Sequence, residues 1–262
     1  MTRMTVIWIA AAVMSAAFVV EAIVSRVRHL DYDFREMRTN LMIGAGFLVC
    51  AIGWSALTAG AYAGAWALTP LRFDMTSGWS WLVLFLAREL CFYWSHRASH
   101  EVGWMWASHH VHHSSTRLTL GTAMRNSWVG GAVDWIFMLP LAFAGFDPLS
   151  ITTMHMASSA WNFCAHCGSL PRLGLLDVVF VTPTNHRVHH GTRPDEPFHN
   201  YGAVLTVWDR MFGTFRPEPE GPLVFGVVPP PERPYDPVYL ELAPWRTYLR
   251  GRFQRRRRAA AE

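Results

Sequence analysis

Eight of the 13 histidines fall into three tightly spaced groups, and their spacing is that of metal ligands. The first group is His96-Arg-Ala-Ser-His100. Four residues of helix advance about 6 Å and turn about 40°, so both imidazoles lie on one face and reach one centre. The second and third groups share the pattern H-x-x-H-H, as His109, His112 and His113 and as His186, His189 and His190. Positions i, i+3 and i+4 form one patch of helix surface, so each group offers three imidazoles together. Imidazole-rich sites take iron, zinc, copper or nickel. A structural zinc site needs only about four ligands, so eight imply two metal ions. The isolated His29 and His155 read as ordinary surface or core residues.

Glu89, Tyr93, His96 and His100 stand at i, i+4, i+7 and i+11, a single helical stripe. A carboxylate inside an apolar span costs about 2.5–3.5 kcal/mol, which turns Glu89 toward the interior of a bundle. It is expected to accept from a ligand imidazole or to orient the site; an ion pair with an arginine is the alternative. Cys164 and Cys167 make a C-x-x-C without the following histidine of a haem attachment site, and four cysteines are too few for a disulfide framework.

The elements that must position these residues follow from composition. The 262 residues are 51% hydrophobic and 16% charged, which argues against disorder, a coiled coil or a nucleic-acid partner. The reading is an all-α integral membrane protein, a bundle of four to five membrane helices with a cytosolic, histidine-rich, metal-binding cap. A span needs about 20 apolar residues, and 4–24, 41–69, 79–95, 128–146 and 149–167 are the candidates. The last two cross fully or form a hairpin that enters the bilayer without crossing. Arg26, Arg28, Arg35 and Arg38 crowd the first connection and place it, with the histidines, in the cytoplasm. Prolines through 191–237 disfavour helix, with one short helix expected near 173–181. All 23 basic residues are arginine. That usage favours a GC-rich bacterial genome, hence the inner membrane. Arg255–Arg258 read as a contact with anionic headgroups.

From about Trp79 to Phe215 the chain resembles the membrane fatty-acid hydroxylase/sterol desaturase superfamily. The resemblance is carried by Glu89-x-x-x-Tyr93-x-x-His96-Arg-x-x-His100, His109-x-x-His112-His113-Ser-Ser and Thr182-Pro-x-x-His186-Arg-Val-His189-His190-Gly. It continues through Asn200-Tyr-Gly202 to Trp208-Asp-Arg-Met-Phe-Gly-Thr-Phe215. Thr122-Ala-Met-Arg125-Asn-Ser127 looks most similar to the alkylglycerol monooxygenase-like branch. The resemblance implies a catalytic domain over 79–216, between N-terminal membrane helices over 1–78 and a Pro-rich segment with a basic tail over 217–262. It implies two iron ions, with zinc possible in an isolated sample, held by the eight histidines and by a ninth, His166. It makes Glu89, Tyr93 and Asn200 catalytic residues, takes His110 out of the ligand set and leaves His199 without an assigned role.

The implied chemistry is hydroxylation of an unactivated C–H bond of a lipid (acyl, ether or sterol-like) with O2 as co-substrate. Desaturation at the same site is the alternative within the enzyme class. No G-x-G-x-x-G loop is present, so electrons are expected from a separate redox partner, a ferredoxin, a cytochrome or a reduced pterin. A histidine-rich metal transporter or storage protein is the rival from another class. It fits less well, because transport needs polar groups along a path through the bilayer and these histidines concentrate at one boundary.

Overall fold

The computed structural model describes residues 2–28, 33–192 and 198–259, with side chains to residue 252. His29 and the side chains of Arg255–Arg258 lie outside the described residues. Two long helices come first, α1 (Arg3–Val27) and α2 (Phe34–Leu68). Side chains of Thr2 and Asp33 cap their N-termini by accepting from Thr5 and from Arg35 and Glu36. Both helices are long and apolar enough to cross a membrane, and only 11% of each apolar window is buried inside the protein. Their apolar surface therefore faces outward.

Helix α3 (Gly78–Glu101) carries the first histidine pair and the stripe from Glu89 to His100. Val102 and Gly103 break it, and α4 (Gly103–His113) turns back with the second group. Two 3-10 turns, 122–124 and 130–132, lead to α5 (Asp134–Phe143). A continuous helix over 128–146 does not form. Gly130 and Gly131 fall in the turn, and the ten residues of α5 give about 15 Å, half a bilayer core. Gly145, at φ 104°, then reverses the chain. Asp147 caps α6 (Pro148–Ala165) with Pro148 in its first turn. The α5–α6 pair is thus a hairpin. Its apolar face meets α2 and α3 in a core of Tyr62, Leu84, Met138, Leu141, Phe146 and Ile151.

The remainder is short pieces, as the prolines require: α7 (Leu176–Val179), α8 (Pro183–His190) with the third histidine group, and α9 (Val207–Met211). One element departs from the sequence reading. Residues 237–259, expected as part of a Pro-rich segment and tail, form α10 (Pro237–Ala259). The Asp236 carboxylate accepts from the Tyr239 N–H at 3.0 Å, and Leu240 packs with Ile43 and Val111. Among the described residues there is no β-sheet, only two isolated bridges.

Candidate metal centre

Nine imidazoles from four elements gather into two groups. His96, His100, His109, His113 and His189 form one, and His112, His166, His186 and His190 the other. Within each group the ligand nitrogens all lie within 4.8 Å of one another. The H-x-x-H-H spacing divides both motifs. In α4, His109 and His113 join the first group and His112 the second; in α8, His189 joins the first and His186 and His190 the second.

Backbone carbonyls aim the rings. Nδ1–H of His96 donates to the Tyr201 carbonyl, that of His166 to the Asn162 carbonyl and that of His189 to the His199 carbonyl, each at 2.8 Å. Donation at Nδ1 leaves the lone pair on Nε2. In the four-histidine group Nε2 of His166 lies 3.2 Å from His112 Nε2 and 2.9 Å from His186 Nε2, and His190 Nε2 lies 3.1 Å from His186 Nε2. Two imidazoles bound at about 2.1 Å to one ion at angles between 90° and tetrahedral sit about 3.0–3.4 Å apart. These spacings therefore fit a shared ion. His189 Nε2 and both ring nitrogens of His100 are buried without a hydrogen-bond partner among the described residues; a metal would supply a partner to His189 Nε2 and to one nitrogen of His100. Burial, followed by repulsion from neighbouring imidazoles, holds His109, His112, His113 and His190 well below the usual histidine value. They are neutral at pH 7, the ligating form.

His110 lies in neither group; its ring faces Trp106 at 5.4 Å. His199 contributes its carbonyl rather than its ring to His189. His155 is beside Arg88, 3.5 Å from its Nη2.

The three residues expected to be catalytic are bonded elsewhere. The Glu89 carboxylate, fully buried, accepts from Arg88 Nη1 at 2.7 Å and from the Val204 and Leu205 N–H groups at 2.8 and 3.1 Å. The expected bond to an imidazole is absent because Arg88, its chain neighbour, and the 204–205 backbone use both oxygens. The Tyr93 hydroxyl meets Thr214 Oγ1 at 2.9 Å and accepts from Arg97. The Asn200 amide donates to the Asn185 and Arg216 carbonyls, and its oxygen accepts from the Arg216 N–H. All three brace the segment that presents the Tyr201 and His199 carbonyls.

Among the described residues Asn200 is the one non-glycine residue with positive φ, 59°, a conformation asparagine tolerates. Asn200→Ala is expected to destabilise the protein by about 2–4 kcal/mol, through lost hydrogen bonds and left-handed strain together. Asn200→Gly should recover only the strain, about 1–2 kcal/mol. Equal unfolding midpoints for both variants would remove the strain argument.

Three further supports have no signal of their own kind in the histidine motifs. Asp209, completely buried, accepts from the Tyr201 and Gly202 N–H groups at 2.7 and 2.8 Å and from Thr214 Oγ1 at 2.8 Å. Its place in the Trp208-Asp-Arg motif was the available signal. On the other flank, Glu36 of α2 accepts from Ser115 Oγ at 2.6 Å and from the Thr116 N–H at 2.8 Å, and it pairs with buried Arg125 at 3.3 Å. Glu21 of α1 accepts from the Leu120 N–H at 2.8 Å. The long apolar helices thus hold the loop that follows the α4 histidines.

Comparison with known proteins is consistent with this geometry. The fatty acid hydroxylase family model matches residues 81–214, about half of the chain. An alkylglycerol monooxygenase of Danio rerio is 39% identical over 161 residues, 61% of this chain and 35% of that protein. The human alkylglycerol monooxygenase is 41% identical over 155 residues, 59% of this chain and 34% of that protein. An ornithine lipid hydroxylase of Rhizobium tropici is 33% identical over 156 residues, 57% of this chain and 44% of that protein. The chain spans about a third of the length of these alkylglycerol monooxygenases. No solved structure matches.

Proposed function

Because the chain belongs to the fatty acid hydroxylase family, we propose that it is a membrane-bound di-iron oxygenase. On this reading it hydroxylates an unactivated C–H bond of a lipid with O2, two protons and two electrons from a separate donor. The observation that carries it is the sorting of nine imidazoles into two convergent groups shared between α4 and α8. Bound iron would supply the reductive activation of O2 that no side chain can perform. The chain's own residues do the rest. The Nδ1–H bonds of His96, His166 and His189 fix the rings, Glu89 and Asp209 hold the 199–205 segment whose carbonyls serve His96 and His189, and the neutral ligand set would leave the charge on bound ions.

The similarity to alkylglycerol monooxygenases favours an ether lipid as substrate, and the similarity to an ornithine lipid hydroxylase makes an aminolipid the second choice. Membrane placement and orientation rest on α1 and α2. Glu21 and Glu36 near their connected ends hold the loop beside the α4 histidines, while Arg3 pairs with Asp147 at the opposite end at 2.7 Å. The arginine-rich connection and the histidines therefore share a side, which the distribution of positive charge assigns to the cytoplasm.

The test compares, by mass spectrometry, the lipids of cells expressing the wild type and His186→Ala under oxygen. A species one oxygen heavier, or an aldehyde released from an ether lipid, is expected with the wild type alone. A wild-type species lacking two hydrogens would make the enzyme a desaturase. Identical lipids, with an alkylglycerol fed and reductant supplied, would overturn the oxygenase reading.

A further inference from the structure

Helix α6 carries a polar stripe of which the proposed ligand set uses only one end. His155, Ser158, Asn162 and His166 stand at i, i+3, i+7 and i+11, on one helical face. That face meets α3, since His155 Nδ1 lies 3.5 Å from Arg88 Nη2. Ser158 is 3% exposed and Arg88 fully buried. Ser158 Oγ, Asn162 Nδ2 and Arg88 Nε are all buried with no hydrogen-bond partner among the described residues. Each such atom costs about 1–3 kcal/mol, a cost that alanine or leucine at 158 and 162 would avoid. Three of them lie along one seam between helices, and the seam ends at His166, whose Nε2 is already among the converging nitrogens. A bound ligand, or ordered water, would supply the partners these atoms lack.

We propose that Ser158 and Asn162, with Arg88 at the far end, form a subsite that hydrogen-bonds the oxygen-bearing backbone of the lipid substrate. By doing so they set which carbon stands at the histidines. The inference rests on the lipid-oxygenase reading and extends it to a substrate class, lipids with ether, ester or hydroxyl oxygens close to the oxidised carbon. The Asn162 amide nitrogen is a donor and requires an acceptor; the Ser158 hydroxyl can give or take. Asn162 is four residues and Ser158 eight residues from His166, about 6 and 12 Å along the helix. Asn162 and Ser158 thus stand about 6 Å apart along the helix, a spread the oxygens of one glycerol unit can meet, while Arg88, opposite His155, stands about a further turn away. A plain hydrocarbon would leave all three polar atoms unpaired, and a site built around hydrogen bonds rejects the analogue that lacks them.

The test is equilibrium binding of radiolabelled 1-O-hexadecylglycerol and of hexadecane to the metal-loaded, detergent-purified full chain. The wild type is expected to bind the ether lipid about tenfold or more tightly than hexadecane. Ser158→Ala and Asn162→Leu should each weaken ether-lipid binding by about five- to fiftyfold and change hexadecane binding by less than about twofold. Ser158→Ala should not lower the thermal unfolding midpoint, because the Oγ makes no protein hydrogen bond that the substitution would remove. Three results would each overturn the subsite: unchanged ether-lipid binding in both variants, equal losses for both probes, or a lowered midpoint for Ser158→Ala. The first or second would assign these atoms to water, the third to the fold. Binding is read without turnover. A chain that binds the ether lipid through Ser158 and Asn162 yet oxidises nothing would sink the oxygenase reading and leave the subsite standing.

Discussion

Alanine at His189 or at His190 is expected to abolish turnover, with metal lost from different groups. Removing a group that merely supports a ligand costs about 10–100-fold in affinity or activity, and removing a ligand costs more. His189→Ala should empty the five-histidine group first, and His190→Ala the four-histidine group, since each ring belongs to one set only. Elemental analysis of purified protein checks this as a fall of about one ion per chain in each single variant and of both ions in the double variant, by the loss of convergent donors. His110→Ala, on the face turned toward Trp106, should keep full metal content. Unchanged metal and turnover in both ligand variants would sink the assignment, and an equal loss with His110→Ala would show that occupancy merely tracks folding.

The second large effect is on stability. Glu89→Ala leaves the Arg88 guanidinium, fully buried, without its carboxylate, and breaking a buried pair by removing one partner costs about 3–5 kcal/mol. It also frees the Val204 and Leu205 N–H groups that the same carboxylate caps. Adding Arg88→Met should recover the part due to the stranded charge and not the part due to the two backbone groups, about 1–3 kcal/mol each. Unfolding of the single and double variants in detergent measures the split. A single variant within about 0.5 kcal/mol of wild type would mean that Arg88 finds another partner, and that the 204–205 segment does not depend on Glu89.

Much of the site was legible because its signal is local. The spacings of His96 and His100 and of the two H-x-x-H-H motifs predict shared helix faces, and the structure presents them from α3, α4 and α8. The inclusion of His166 came from family resemblance; no local pattern surrounds it. What escaped depends on long-range contact. The sequence admits an imidazole or an arginine as the partner of Glu89, and the structure has the arginine, Arg88; a stripe does not reveal that the backbone at 204 and 205, over a hundred positions away, would also occupy the carboxylate. Asp209 and Asn200 act through backbone groups, which leave no side-chain pattern to read. Helix α10 was hidden by Pro237 and Pro244, although Asp236 as cap and Pro237 in the first turn are the usual opening of a helix. Of the two readings of 128–146 and 149–167, full crossings or a hairpin, the structure has the hairpin, because the Gly130-Gly131 turn that hydropathy does not register shortens the first helix.

The division of both H-x-x-H-H motifs between the two histidine groups ties their fates together. A one-residue slip of α4 or of α8 would rotate that helix by about 100° and withdraw donors from both groups at once. Neither group can drift, be lost or be retuned by backbone change while the other is preserved; only side-chain replacement separates them. The placing of the two histidine groups relative to one another is therefore tied to the pitch of α4 and α8.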